Sequence, residues 1–337
     1  MTSPAMHNSP IISVRDLHRA FGNVQAVRGL SFEIFPGQVV GFIGANGSGK
    51  TTTMRIMATL DVPDTGTVEI CGHDVVNFPT HVRDRIGWMP DAFGAYPSTT
   101  VAEYLDFYGR AFGYRAKDRL ARMREVMEFT DLTDLADRPM NKLSKGMGQR
   151  LCLGRTLMHD PEVLIMDEPA AGLDPKARIE FKRLVRLLAE QGKTIFISSH
   201  ILSELGEMCD SLVFIDAGRI VHHGTAESLQ NVQAGGDAVL FVQLAGSPEP
   251  LRAWTQANPG SQLVEMLKNG ARIRLGGDTP EIAASYLRKM IADGLPVSDF
   301  HRETRKLEDA FVEMLKQVEP QRPPPLPPKA GDLLSEE

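Results

Sequence analysis

The eight residues Gly44-Ala45-Asn46-Gly47-Ser48-Gly49-Lys50-Thr51 constrain this chain more than any other stretch. They fit the pattern G-x-x-x-x-G-K-[ST]. Before them runs Val39-Val40-Gly41-Phe42-Ile43, a near-continuous apolar segment that reads as a buried strand, and a helical stretch opens near Lys50. In that setting the glycines let successive backbone N–H groups point inward, and the helix adds the positive end of its dipole. The loop is then a phosphate cradle. Asn46, Gly47, Ser48, Gly49 and Thr52 surround the phosphates, Lys50 neutralises the β- and γ-phosphates, and the Thr51 hydroxyl serves Mg²⁺. A chance glycine turn has no reason to follow a strand and open a helix. The motif by itself implies a nucleotide and does not say which machine uses it.

Two further apolar runs end in groups suited to phosphate chemistry. Val163-Leu164-Ile165-Met166 delivers Asp167 and Glu168 at its C-terminal end, where open α/β sheets hold their ligands. Asp167 is a natural partner for Mg²⁺, and Glu168 is placed to take a proton from an attacking water or to orient it. Alone, such a pair could cap a helix or simply face solvent; after a phosphate loop it reads as catalytic. His200 closes the run Ile195-Phe196-Ile197-Ser198-Ser199, where a histidine could bond the γ-phosphate; alone it would read as a core-edge residue.

The 337 residues exceed one ordinary domain, and the chain is 42% hydrophobic, 24% charged and carries a net charge of −6. That balance is globular and leaves no electrostatic footprint for nucleic acid. Cys71, Cys152 and Cys209 are too scattered for a disulfide framework or a metal site, which suits a reducing cytoplasm. No apolar run approaches the roughly 20 residues of a membrane span, so a membrane role would need another chain.

Strand signals at Ile11–Val14 and Leu30–Ile34 come first. Helical patterns fill residues 98–160 (Thr100–Phe112, Asp118–Phe129, Ser144–His159). A helix over Lys176–Gln191 separates the strands that end at Met166 and begin at Thr194, and Leu212–Ile215 is a further strand. This predicts an α/β fold with a largely parallel sheet, an antiparallel β part and a helical insert over residues 11–230. Residues 231–317 read strand, helix, strand, strand, helix, strand, helix, an accessory α+β domain of the ferredoxin-like order. Residues 1–10 and the proline-rich 318–337 read as disordered.

Leu143-Ser144-Lys145-Gly146-Met147-Gly148-Gln149-Arg150 resembles the signature motif of ATP-binding-cassette (ABC) proteins, and the chain's other markers follow that family's order over about residues 11–230. The resemblance implies a P-loop ATPase with ATP and Mg²⁺ as ligands. Phe21 stands where an adenine-stacking aromatic is expected, Asp174 in the D-loop, and His200 as the switch histidine. Ser144 is a good N-cap, so the signature offers a hydroxyl, backbone N–H groups and a helix dipole to an anion. In the family that anion is the γ-phosphate bound to the opposite subunit, so Ser144, Lys145, Gly146 and Met147 would complete a site across a homo- or heterodimer. Lys145 and Met147 replace the commonest glycine and glutamine, a form similar to ABC-2-type exporters.

Asp91 departs from the family. It occupies the Q-loop position, usually a glutamine that joins Mg²⁺ and water to the permease interface, and an ionised aspartate cannot donate a hydrogen bond. The resemblance thus implies a transport ATPase on the cytoplasmic face of the cell membrane, driving a separate permease, with no nucleic-acid partner. A non-transport ABC ATPase and a slowly hydrolysing nucleotide switch are the alternatives. Tyr96, Tyr104, Phe107 and Tyr108 read as candidate partner anchors or as ordinary packing, Met123–Phe129 as core, and the 231–317 domain as regulatory or dimer-supporting.

Overall fold

A computed structural model describes residues 9–92, 94, 96–206, 208–226, 228, 239–277, 279–302 and 311. Residues 1–8, the helix expected over Lys306–Gln317 (Phe311 apart) and the proline-rich tail lie outside the described residues. The chain forms two compact units, one reaching to Ala226 and the other spanning Glu227–Val312.

The first unit opens with a long antiparallel hairpin, β1 (Ile12–Phe21) and β2 (Val24–Ile34). Its strands run longer than the sequence pattern suggested. Asp16, at φ 47°, sits where the register shifts between Val14 and Leu17, and this bulge breaks the period-two alternation. β4 (Thr65–Ile70) and β5 (His73–Asp74) complete a four-stranded sheet in the order β2-β1-β4-β5.

The second sheet uses β3 (Val39–Ile43), β6 (Ile86–Met89), β7 (Val163–Met166), β8 (Thr194–Ser199), β9 (Ser211–Asp216) and β10 (Arg219–Gly224). Their order is β10-β9-β3-β8-β7-β6, with every pairing parallel except β10 on β9. Every residue of β3, β7 and β8 is buried, which is why β3 and β7 read as near-continuous apolar runs and β8 has an apolar centre at Ile195–Ile197. Three rings join the sheets: Phe32 of β2 stacks on Phe196 of β8 at 5.6 Å, and Phe42 of β3 lies 5.0 Å from Phe196. Burying one such side chain stabilises by about 1.5–3 kcal/mol.

Around the sheets lie α1 (Lys50–Met57), α2 (Pro79–Arg83), α3 (Val101–Ala111), α4 (Ala116–Phe129), α5 (Lys145–Leu157), α6 (Pro175–Glu190) and α7 (Leu202–Gly206). The expected helical insert is α3, α4 and α5, packed pairwise. Thr100 and Glu103 form a reciprocal capping box that starts α3. Asp106 of α3 holds Arg119 of α4 at 2.5 Å. Met123, Val126 and Met127 are buried, as core residues should be. The aromatic set divides: Tyr104 is buried rather than presented to a partner and Tyr108 lies under Arg155 at 5.5 Å, while Phe107 and Tyr96 are 63% and 60% exposed.

The second unit contains β11 (Val239–Leu244), α8 (Pro250–Ala257), β12 (Ser261–Leu267), β13 (Gly270–Leu275), α9 (Pro280–Ala292) and β14 (Val297–Arg302). Its strands run β12-β13-β11-β14, every neighbour antiparallel, which is the split βαβ arrangement. Leu240, Val242, Leu251, Trp254, Ile273 and Met290 form its core. The Trp254 indole N–H donates to Asp293 at 2.8 Å. At the far end of the β11–β14 pair, Leu240 and Arg302 are cross-strand partners.

Candidate active site

Three neighbouring strands bring the expected groups to one sheet edge. Ile43 of β3 pairs with Ser199 of β8, and Met166 of β7 pairs with Ile197 of β8. The loop from Gly44, the residue His200 and the pair Asp167-Glu168 therefore leave the sheet side by side. Met89 of β6 pairs with Met166 and its carbonyl accepts from the Asp167 N–H at 2.8 Å, so Asp91 emerges next to them. A cavity of about 470 Å³ opens there, lined by Asn46, Gly47, Gly49, Lys50, Thr51, Thr52, Asp91, Asp167, Glu168 and His200, with Val24, Ala26 and Ala171.

The cradle has a backbone reason for its glycine. Gly49 has φ 108°, and a Cβ there would sit 2.5 Å from the Ala26 carbonyl oxygen. No side chain caps α1, so the N–H groups of its first turn are left for a ligand. Lys50 is buried, its Nζ donating to the Gly44 carbonyl at 2.7 Å and standing 3.4 Å from Glu168 Oε1.

The carboxylates are tightly held. Thr51 Oγ1 donates to Asp167 Oδ2 at 2.8 Å, and Ser198 Oγ donates to Asp167 Oδ1 at 2.7 Å. The same Ser198 oxygen accepts the Glu168 N–H at 2.9 Å. Glu168 itself takes a left-handed φ of 48°, a conformation that costs a non-glycine residue about 1 kcal/mol or more. Its Oε2 lies 2.7 Å from His200 Nδ1. A carboxylate only accepts, so Nδ1 carries the hydrogen of this contact, and Nε2 is the ring nitrogen left for the cavity.

Other expected residues stand outside this cavity. The Ser48 side chain is buried beneath the loop. Phe21 ends β1, paired with the cavity-lining Val24, and is half-exposed. Ser144 caps α5, accepting the Met147 N–H at 3.3 Å, and Asp174 caps α6, accepting the Ala177 N–H at 2.9 Å. These two helix starts abut. A Cβ on Gly146 would lie 2.8 Å from that of Ala177, and the Lys145 ammonium lies across Gly172, 2.5 Å from where a Cβ would stand. Ser144, Lys145, Gly146, Met147 and Asp174 thus form a surface separate from the chain's own cavity.

Ser198 is the functional residue that reading the sequence missed. Its one signal was a hydroxyl near the end of an otherwise apolar run, and its partners became visible only once β7 and β8 were known to be neighbours. Among the described residues no group of three or more His, Cys, Asp and Glu side chains forms a metal site, and no helix is long and apolar enough to cross a membrane.

Comparison with known proteins agrees with this geometry. Residues 27–171 match the ABC transporter family model. The Nod factor export ATP-binding protein I of Ralstonia nicotianae is 40% identical over 312 residues, 92% of this chain and 95% of that protein. Its namesake in Burkholderia lata is 40% identical over 229 residues, 68% and 75% of the two chains. The crystal structure of an ABC transporter's ATP-binding cassette in its ADP conformation superposes with a TM-score of 0.59 at 26% identity, covering 65% of this chain and 92% of that one. A dimeric cassette bound to ADP and Pi shares the fold, with a TM-score of 0.58 at 24% identity, covering 64% and 98%. With a relative this similar along nearly its whole length, and a phosphate cradle, acidic pair and histidine gathered at one sheet edge, the chain belongs to the ABC transporter family, as an ATP-binding and ATP-hydrolysing subunit.

Proposed function

We propose that two such subunits close around two ATP molecules and drive a separate membrane permease in export, from the cytoplasmic face of the membrane. The observation that carries this reading is the convergence of Lys50, Thr51, Asp167, Glu168 and His200 on one cavity, with the part-buried Glu168 carboxylate between the Lys50 ammonium and the His200 imidazole. The Lys50 charge and the N–H groups opening α1 bind the phosphates. Glu168, held by His200, accepts the proton of the attacking water as the bond to the γ-phosphate breaks, yielding ADP and phosphate. The left-handed backbone and the Ser198 bond fix the direction of that carboxylate before ATP arrives.

Thr51 and Asp167 present hard oxygen donors side by side, a set that fits Mg²⁺, which uses one or two protein oxygens beside substrate phosphates. When bound, Mg²⁺ would neutralise phosphate charge. Asp91 stands at the same cavity and is assigned an outer role on that metal's shell; an Asp91→Gln protein with unchanged hydrolysis and unchanged coupled transport would remove it from the set. Ser144 and the start of α5 lie outside the chain's own cavity, which leaves them for the γ-phosphate of a second copy. Export follows the two relatives, both Nod factor export ATP-binding proteins.

The test is Glu168→Gln. The variant should bind ATP, dimerise in its presence by light scattering, and hydrolyse at least about a hundredfold more slowly. Normal hydrolysis would overturn the general-base assignment. Used with ATP and Mg²⁺ as bait on native membranes, the same variant should recover a multi-span membrane protein in stoichiometric amount; soluble partners alone would count against transport.

A further inference from the structure

Arg19 is held in a way that its position on β1 does not require. Its Nη1 donates to Asp64 Oδ1 at 2.8 Å and its Nη2 to Asp61 Oδ1 at 2.7 Å. Asp64 is fixed in turn: its Oδ2 accepts the Ala20 N–H at 2.7 Å, and its own N–H donates to the His18 carbonyl at 2.9 Å. Ala20's N–H and then Arg19 hold the Asp64 carboxyl below the usual carboxylate range, so the clamp keeps its charge through neutral pH. Both outer nitrogens of the guanidinium are therefore engaged in its plane, which leaves its flat faces to meet neighbours.

The same guanidinium meets an aromatic ring. Arg19 Cζ lies 4.7 Å from the centre of the Phe21 ring, within cation–π range. Phe21 is two residues along the same strand and is still 49% exposed. Its cross-strand partner Val24 lines the nucleotide cavity, as does Ala26 two residues further on. A cation fixed against one side of an aromatic ring draws electron density from it and improves the other side as a stacking surface for an electron-rich purine. It also removes the freedom of an aromatic side chain at a hairpin tip.

We propose that Arg19, locked by Asp61 and Asp64, is a positioning residue that backs Phe21 and so sets how strongly this subunit grips the adenine base. The inference rests on the nucleotide-site reading, in particular on Phe21 as the base platform, and adds to it a three-residue device that the platform depends on.

The test separates base from phosphate. Dissociation constants for ATP and for inorganic tripolyphosphate, which has no base, are measured with Mg²⁺ on the full-length chain and on Phe21→Ala, Arg19→Met, Arg19→Lys and Asp61→Asn. Phe21→Ala should weaken ATP about tenfold, the scale of one lost base–aromatic stack, and leave tripolyphosphate unchanged. Arg19→Met should weaken ATP by about threefold or more, with tripolyphosphate again unchanged. Arg19→Lys should recover part of the loss, and Asp61→Asn should fall between Arg19→Met and the parent. Equal weakening of both ligands in Arg19→Met, or ATP affinity lost in Phe21→Ala but intact in Arg19→Met and Asp61→Asn, would overturn the proposal while the platform reading stands. A Phe21→Ala protein with an unchanged ratio of the two affinities would overturn the platform reading itself.

Discussion

Ser198 carries two hydrogen bonds that serve the two residues most concerned with chemistry, donating to Asp167 and accepting from the Glu168 backbone. Ser198→Ala would leave a buried acceptor and a backbone donor short of a partner, at a cost of about 1–3 kcal/mol. The expected outcome is a lower denaturation midpoint and a fall in ATP turnover larger than the fall in ATP affinity; a variant equal to the parent in both would show the serine to be a bystander. His159 offers a pH test. Burial lowers its pKa below the ordinary 6.5; its Nε2 is bonded to the Ile86 carbonyl at 2.8 Å, its ring stacks on Phe112, and Nδ1 is buried without a hydrogen bond. The unfolded chain therefore takes up this proton first, so the stabilising contribution is present above about pH 6.5 and is lost as pH falls below it. The thermal midpoint should drop between pH 7 and 5.5, and His159→Gln should drop less; equal slopes would exclude His159 as the source.

At the scale of elements, the sequence was most legible where a chemical group ends an apolar strand. Lys50, Asp167, Glu168 and His200 could be read because β3 and β7 are buried on both faces as unbroken apolar runs, and β8 carries the apolar stretch Ile195–Ile197 just before His200. What could not be read is adjacency. The Asp167–Ser198 bond depends on β7 lying beside β8, and the Arg19 clamp depends on β1 lying beside the turn that holds Asp61 and Asp64; neither is encoded in local pattern. β1 is legible only to Val14, because the Asp16 bulge disrupts its alternation beyond that point. Contact between the starts of α5 and α6 is another long-range fact, and it yields a prediction. Gly172→Ala must accept a left-handed φ of 66°, at a cost of about 1 kcal/mol or more, and push the Lys145 ammonium off its place across the loop. ATP should bind the variant monomer normally, while ATP-driven dimerisation of the Glu168→Gln form weakens about tenfold; undiminished dimerisation would dissociate this contact from the subunit interface.

On the scale of the whole molecule, chemistry and accessory mass are in separate units, and all the cavity residues belong to the first. The Ralstonia nicotianae relative, matched over 92% of this chain, is similar across both. Within the second unit, the pairing of Leu240 with Arg302 has a consequence for how such a unit is acquired. Cross-strand partners in an antiparallel pair are about 4.5–5.5 Å apart, little more than the 3.8 Å between consecutive Cα atoms. The first and last described strands of this unit are thus one strand spacing apart at that pair. Replacing residues 241–301 by two glycines should leave ATP affinity within about twofold of the parent, because the splice need not stretch or slacken the flanking chain; a folded deletion protein that no longer binds ATP would show the two units to be energetically joined. A body whose two ends meet across a single strand pair can be lifted out by one splice, so its loss need cost the ATPase unit nothing.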